Sequence, residues 1–219
     1  MFHYMNRGAA FYRNVVRLAL PILLQNLCTT LLGLIDTFMV GALGEAPLAA
    51  VLVANIPVFV IQLVIFGLQS GSSVLISQFW GKGDTESINR VIGLGCYVAG
   101  AISLAFASVM FFLPEQLMGL LTDNQELVDT GAGMLHIYFF GFCFMAFQMS
   151  GQATFTGLGK AKFAIFFSLF RKVALVLPLI FILPNFLGVD GVLWSEPISN
   201  LVGGGACFLV MMLTLWRKL

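Results

Sequence analysis

Long apolar segments fill most of this chain of 219 residues, and short connections rich in Gly, Pro and charged residues separate them. A helix needs about 20 apolar residues to cross the roughly 30 Å hydrocarbon core of a bilayer. These segments predict an all-α membrane protein whose six transmembrane helices form a single domain over residues 1–219. The predicted spans lie near residues 15–43, 47–79, 88–113, 127–157, 163–186 and 190–216.

The composition excludes several classes of protein. Hydrophobic residues make up 59% of the chain and charged residues 10%, against roughly 45–50% and about 25% in soluble domains. The net charge of +1 provides no basic surface of the kind that binds nucleic acid. The four cysteines lie singly in apolar segments without the spacing of a metal site, so we interpret them as packing residues. We find no Ser-His-Asp set, catalytic carboxylate pair or Walker A motif, and therefore expect neither an enzyme nor a bound cofactor or metal.

The basic residues alternate from one connection to the next. Lys and Arg occur at both termini and in the second and fourth connections, whereas the other three connections contain none. Because short loops rich in Lys and Arg stay in the cytoplasm, we predict a multi-pass protein of the plasma (inner) membrane with both termini cytoplasmic. Only Arg171 and Lys172 fall outside this alternation. We interpret them as a pair that extends to the membrane interface rather than as intramembrane partners of an acidic residue.

An acidic residue, Asp36, lies inside the first apolar segment, about 12 Å of helix before the turn at Gly44. Ionisable groups in hydrocarbon are costly and normally face a protein interior or a wet cavity. Gln25 and Thr29 share its face of the helix at helical spacing. Asp36 is therefore a carboxylate that binds a coupling ion, H⁺ or Na⁺, a structural hydrogen-bond acceptor between helices, or a group that lies nearer the membrane interface.

Other polar residues recur inside the apolar segments. Asn55, Gln62 and Gln69 lie seven residues apart in the second segment, and Gln148 lies on a polar face of the fourth. Two roles fit them equally, namely lining a passage for an organic cation and joining helices by hydrogen bonds. Glu196, early in the sixth segment, is a candidate for ion coupling, and a position near the outer interface is the alternative.

Two stretches carry a family resemblance. The stretch from Leu18 to Ala50, LALPILLQNLCTTLLGLIDTFMVGALGEAPLAA, resembles the first helix and following turn of the multidrug and toxic compound extrusion (MATE) family of cation-coupled exporters. The stretch from Asn55 to Asp84, with GLQSGSSVLISQFWGKGD, resembles that family's second helix and cytoplasmic turn. Asp36 falls on the acidic position that the family uses for coupling, so the resemblance implies that it is the coupling residue. The candidate cavity or coupling neighbours are Gln25, Thr29, Asn55, Gln62, Gln148 and Glu196.

The resemblance covers one lobe of a two-lobe family. MATE proteins have twelve helices in two six-helix lobes, and this chain is long enough for one. It resembles a first lobe up to about residue 130, whereas Phe155 to Asn200 resembles the end of a second lobe. First lobes usually add Asn and Asp side chains from their fifth helix to the cation site, and this chain offers Ser168 and Arg171 instead. The resemblance implies a MATE-like lobe that pairs with a complementary lobe, most simply as a homodimer.

Three functions remain open from the sequence. The leading hypothesis is an antiporter, driven by H⁺ or Na⁺, that exports small amphipathic or cationic organic compounds such as drugs. The second is a non-transporting subunit or an inactive, truncated MATE remnant. The third is a flippase for a lipid-linked substrate.

Overall fold

Six long helices run through the residues that the structure, a computed structural model, describes, which are 9–42 and 44–218. Helices α2 to α6 are long and apolar enough to cross a membrane, and α1 adds a sixth helix of 34 residues. The prediction of an all-helical membrane fold is confirmed. The bounds are α1 Ala9–Ala42, α2 Glu45–Lys82, α3 Thr85–Phe112, α4 Gln125–Gly157, α5 Ala161–Leu187 and α6 189–218, with a short helix Pro114–Gly119 between α3 and α4.

The outer surface of the bundle is apolar. Large side chains such as Phe38, Tyr97 and Phe186 are each more than three quarters exposed. A soluble protein rarely leaves so many large apolar side chains open to water. This surface therefore suits hydrocarbon, and the 38 residues of α2, about 57 Å of helix, exceed the bilayer core, so that α2 tilts or extends beyond it.

Two glycines end long helices in the same way. Gly83 after α2 and Gly159 after α4 have φ of 73° and 72°, in the left-handed region that favours glycine. The residue after Gly83 donates its N–H to Phe79 O, and the residue after Gly159 donates to Phe155 O. Both are Schellman caps. They reverse the chain sharply, so that α3 follows α2 and α5 follows α4 with short connections.

Asp84 caps the N-terminus of α3. Its carboxylate accepts hydrogen bonds from the Ser87 hydroxyl at 2.6 Å and the Ser87 N–H at 3.0 Å. The hydrogen bond from the Ser87 hydroxyl is the main reason that the pKa of Asp84 lies below its ordinary value. The ionised carboxylate also complements the positive end of the helix dipole.

Helix α4 is the centre of the bundle. Its residues Leu135 and Phe142 belong to an apolar cluster with α2 and α3. Phe155 belongs to a second cluster with α5 and α6, and Met134 belongs to a third cluster with α1, α2 and α6. Each of the other five long helices therefore packs into at least one cluster that contains α4.

Glycines allow α4 and α6 to approach very closely. A Cβ at Gly141 would lie 2.4 Å from Pro197 Cα, and a Cβ at Gly204 would lie 2.4 Å from Phe144 O. Small residues at helix contacts are typical of membrane proteins, because packing rather than hydrophobic burial joins their helices. This close approach fixes the position of α6 beside α4.

Helices α5 and α6 each contain a π-helical segment. The segments are Phe170–Val176 in α5 and Asn200–Gly204 in α6. They pack against each other inside the bundle. Such segments are rare and often occur at functional sites, because the extra residue in the turn redirects the side chains.

We expect Gly204→Ala to destabilise the protein by about 1–3 kcal/mol, because the new methyl group would overlap Phe144 O. Thermal unfolding of the purified protein in detergent measures the effect, at about 2–4 °C per kcal/mol for a chain of this size. Gly205→Ala is the matched control, since no atom beyond its own helix lies within 4 Å of the added Cβ. Equal unfolding temperatures for the two variants would contradict the proposed close packing.

Candidate functional site

A cavity of about 350 Å³ lies inside the bundle, between α1, α2, α4, α5 and α6. Its described lining combines apolar side chains, uncharged amides and a small group of charged residues. Thr37 on α1 and Asn55 on α2 line the cavity and are exposed. The polar lining consists of Thr37, Asn55, Gln62, Tyr138, Gln148, Gln152, Ser168, Arg171, Lys172, Glu196 and Asn200.

Four of the seven candidate cavity or coupling residues meet at this cavity. Asn55, Gln62, Gln148 and Glu196 all contribute to its lining, although they come from three different helices. The side chains of the other three, Gln25, Thr29 and Asp36, lie outside the described residues. The backbone of Asp36 belongs to α1, one position before Thr37 and one helical turn before Val40, and both of these residues line the cavity.

The amide residues of α2 divide between the two roles that the sequence left open. Gln69 joins helices, because its Nε2 donates to Ser150 Oγ of α4 at 2.7 Å and to Gly95 O of α3 at 3.4 Å. Gln62 instead lines the cavity, where its Nε2 makes a weak contact of 3.4 Å with Met145 Sδ. Residues at the same heptad spacing thus serve different purposes along one helix.

Gln148 has an unsatisfied acceptor at the cavity. Its side chain is only 3% exposed, and its Oε1 has no hydrogen-bond partner among the described residues. An unpaired buried polar atom costs about 1–3 kcal/mol.

A charged cluster forms the α5–α6 side of the cavity. Arg171 Nη1 donates to Glu196 Oε2 at 3.0 Å, and the Lys172 ammonium donates to Glu196 Oε1. Arg171 Nη1 also donates to Asn200 Oδ1. The side chains of Arg171 and Lys172 are only 15% and 14% exposed. The expectation of a basic pair at the membrane interface is therefore wrong, because both cations turn inward to one carboxylate.

The π-helical segments place this cluster. Arg171 and Lys172 are the second and third residues of the segment in α5, and Asn200 begins the segment in α6. Gly203 provides room for the arginine, because a Cβ there would lie 2.9 Å from Arg171 Cγ. Two basic residues that follow one another in sequence can therefore reach the same carboxylate, which is Glu196.

The charge of the described lining is unbalanced. Two cations, Arg171 and Lys172, face one carboxylate, Glu196. Of the charged residues in this cluster, only Glu196 is among the candidate site residues identified from the sequence. One sequence signal pointed to it, since Arg171 and Lys172 are the basic residues that break the alternation of charge between the connections.

The chain was compared with known proteins. Residues 21–182 match the MatE family. Relatives include the probable multidrug resistance protein YpnP of Bacillus subtilis, 27% identical over 86% of this chain and 43% of the relative, and the human multidrug and toxin extrusion protein 1, 22% identical over 94% and 37%. The chain spans about half the length of the curated relatives that it matches over most of its own length.

Solved structures show the same fold. The Vibrio cholerae MATE transporter VcmN in its bent form superimposes with a TM-score of 0.86 at 19% identity, over 99% of this chain and 50% of that one. An outward-facing MATE transporter of the MOP superfamily gives a TM-score of 0.88 at 18% identity, over 99% and 49%. The fold of this chain is thus half of a MATE fold. Since the family match covers residues 21–182, the chain belongs to the MatE family of membrane transporters, which are not enzymes.

Proposed function

We propose that this chain is one lobe of a cation-coupled antiporter that exports amphipathic or cationic organic compounds. The observation that carries the proposal is a cavity of about 350 Å³ inside the membrane-spanning bundle of a MatE family member. Volumes of this size suit small organic ligands. The relatives are described as multidrug resistance proteins, and the proposal extends that activity to this chain.

The walls of the cavity suit a substrate with an apolar body. Phe142, Met145 and Met149 form apolar wall, and methionine adapts its shape to irregular ligands. Gln62 and Gln148 add neutral polar groups that orient a ligand.

Asp36 is the proposed coupling residue. Its neighbours Thr37 and Val40 line the cavity, and an ionisable group within a membrane helix is a functional candidate by default. Coupling requires that the ion, H⁺ or Na⁺, bind the inward-open and outward-open conformations with different affinity. Loading of Asp36 from outside would then favour release of the substrate outside, and unloading inside would reset the transporter.

The proposed working unit is a pair of lobes, most simply a homodimer. The chain corresponds to about half of the solved MATE structures that it resembles. The residues that line its cavity from α1 and α2 include Thr37 and Asn55, which are exposed. A second copy placed against this side would close the cavity. The alternation of Lys and Arg supports cytoplasmic termini on both copies, which would insert in the same orientation.

We expect Asp36→Asn to reduce dye efflux from proteoliposomes at least tenfold under an imposed H⁺ or Na⁺ gradient, because an amide keeps the size of the side chain but does not titrate. Asp123→Asn is the matched control, since Asp123 is exposed in the connection before α4. Unchanged efflux by Asp36→Asn would refute the coupling role. If the folded wild-type protein moves lipid instead of dye, it is a flippase, and if it moves neither, it is a non-transporting subunit.

We expect crosslinking in native membranes and mass measurement in mild detergent to detect a species of twice the mass of one chain. An isologous contact buries the same surface on both copies, so one added cysteine at the contact crosslinks to its own equivalent. Thr37→Cys, exposed on α1, should crosslink efficiently, whereas Phe186→Cys, exposed near the end of α5, serves as the control. Monomers alone in both experiments would exclude the homodimer.

We expect a membrane-impermeant maleimide to label Asp123→Cys and Asp190→Cys in intact cells. Lys82→Cys and Lys162→Cys should be labelled only after permeabilisation, because the basic connections are the proposed cytoplasmic ones. All four positions are exposed in the structure. The parent chain measures the background from the native cysteines. The opposite labelling pattern would reverse the proposed orientation.

A further inference from the structure

We infer that the cavity excludes Na⁺ because the Lys172 ammonium already supplies a positive charge and engages the carboxylate oxygen of Glu196 that a Na⁺ ion would need as a ligand. The inference rests on the proposed function for its consequence, which is that protons rather than Na⁺ drive transport. It names Lys172 as the residue that determines the choice of coupling ion.

The described cavity lining carries more positive than negative charge. Among the described lining residues, the charged groups are Arg171 and Lys172 of α5 and Glu196 of α6, and the other titratable side chain is Tyr138 of α4. Two cations and one carboxylate leave a surplus of one positive charge. An ionised Asp36, as the proposed function requires, would reduce the net charge of this set to zero. A Na⁺ ion would restore the surplus, and so would a proton bound to Asp36, and repulsion between like charges is strong for any added cation where the effective dielectric constant is low. The oxygen ligands of the cavity therefore decide between the two ions.

The oxygen atoms that could bind Na⁺ beside Lys172 already accept hydrogen bonds. Hard cations bind to several oxygen atoms at once. Both oxygens of Glu196 already accept hydrogen bonds, one from Arg171 and one from Lys172, and Asn200 Oδ1 accepts another from Arg171. The strongest described oxygen ligands of the cavity are therefore engaged with N–H donors. A proton needs a single basic atom and is not restricted in this way.

Lys172 is a cation that stays in the cavity. Lys172 belongs to the π-helical segment of α5, and its side chain is 14% exposed. It is attached to the protein and cannot diffuse out of the cavity as a bound Na⁺ ion does. Among the described residues Lys172 donates to Glu196 alone, whereas Arg171 donates to both Glu196 and Asn200. Lys172 is thus the cation whose removal most directly frees a carboxylate oxygen while Arg171 keeps Glu196 paired.

The test compares Na⁺ with choline at constant ionic strength, by thermal unfolding of the purified protein in detergent. The wild-type protein should show the same unfolding temperature in 150 mM sodium chloride and in 150 mM choline chloride. Lys172→Met, similar in length but uncharged, should gain a saturable increase of about 2 °C or more that is specific for Na⁺. Lys162→Met removes an exposed lysine outside the cavity and should behave as the wild type does.

Each result decides the inference. A saturable increase specific for Na⁺ in the wild-type protein would overturn it, and so would a folded Lys172→Met variant that does not respond to Na⁺. Lys172→Gln keeps a hydrogen-bond donor toward Glu196 and replaces the methionine variant if that one does not fold.

Proteoliposomes separate this inference from the proposed function. Efflux of dye under a pH gradient, with none under a Na⁺ gradient at equal pH, supports both. Efflux driven by the Na⁺ gradient would overturn the exclusion of Na⁺ while supporting the antiporter. Absence of efflux under either gradient would refute the antiporter and the proton drive, and the unfolding measurements would still decide whether Lys172 excludes Na⁺ from the cavity.

Discussion

The carboxylate of Glu196 holds two cations inside a bundle that otherwise faces hydrocarbon, and the local shape of α5 and α6 accommodates this. Removing one partner of a buried ion pair costs about 3–5 kcal/mol, because the other charge stays buried without compensation. Loss of Glu196 would therefore leave Arg171 and Lys172 buried without their carboxylate partner. The π-helical segments on both helices provide the geometry. An ideal α-helix would point two successive side chains about 100° apart, which makes a shared partner difficult to reach.

The position of this cluster depends on the packing of α4. Gly141 and Gly204 allow α6 to lie directly against α4, so Glu196 is held at the edge of the cavity while Gln148 of α4 lines it as well. Gly203 then admits the arginine from α5. The small residues thus have two roles, since they join helices without a hydrophobic driving force and leave room for a charged side chain from a third helix.

The sequence predicts the helices well because a bilayer imposes their length, and only helices or closed barrels satisfy the backbone there. It also identifies Asn55, Gln62, Gln148 and Glu196, which line the cavity, since polar side chains avoid lipid. The sequence does not distinguish Gln69, which has the same spacing but forms hydrogen bonds between helices. The interpretation of Arg171 and Lys172 was wrong, because their partner Glu196 lies about 25 residues further along the chain. The number of charges in each connection contains no information on that contact.

The charged residues of one lobe determine which charges a pair of lobes would contain. In an isologous dimer every residue at the contact occurs twice, so a homodimer would carry two copies of Asp36 and two charge clusters around one central passage. Because an ionised Asp36 would offset the surplus positive charge of the cluster in its own lobe, a second copy would not need to supply a counter-ion. It would need only to complete the wall of the cavity between α1 and α2. Each lobe would thus offset its own charges without its partner. Coupling between two such lobes would then come from their contact rather than from a shared ion pair.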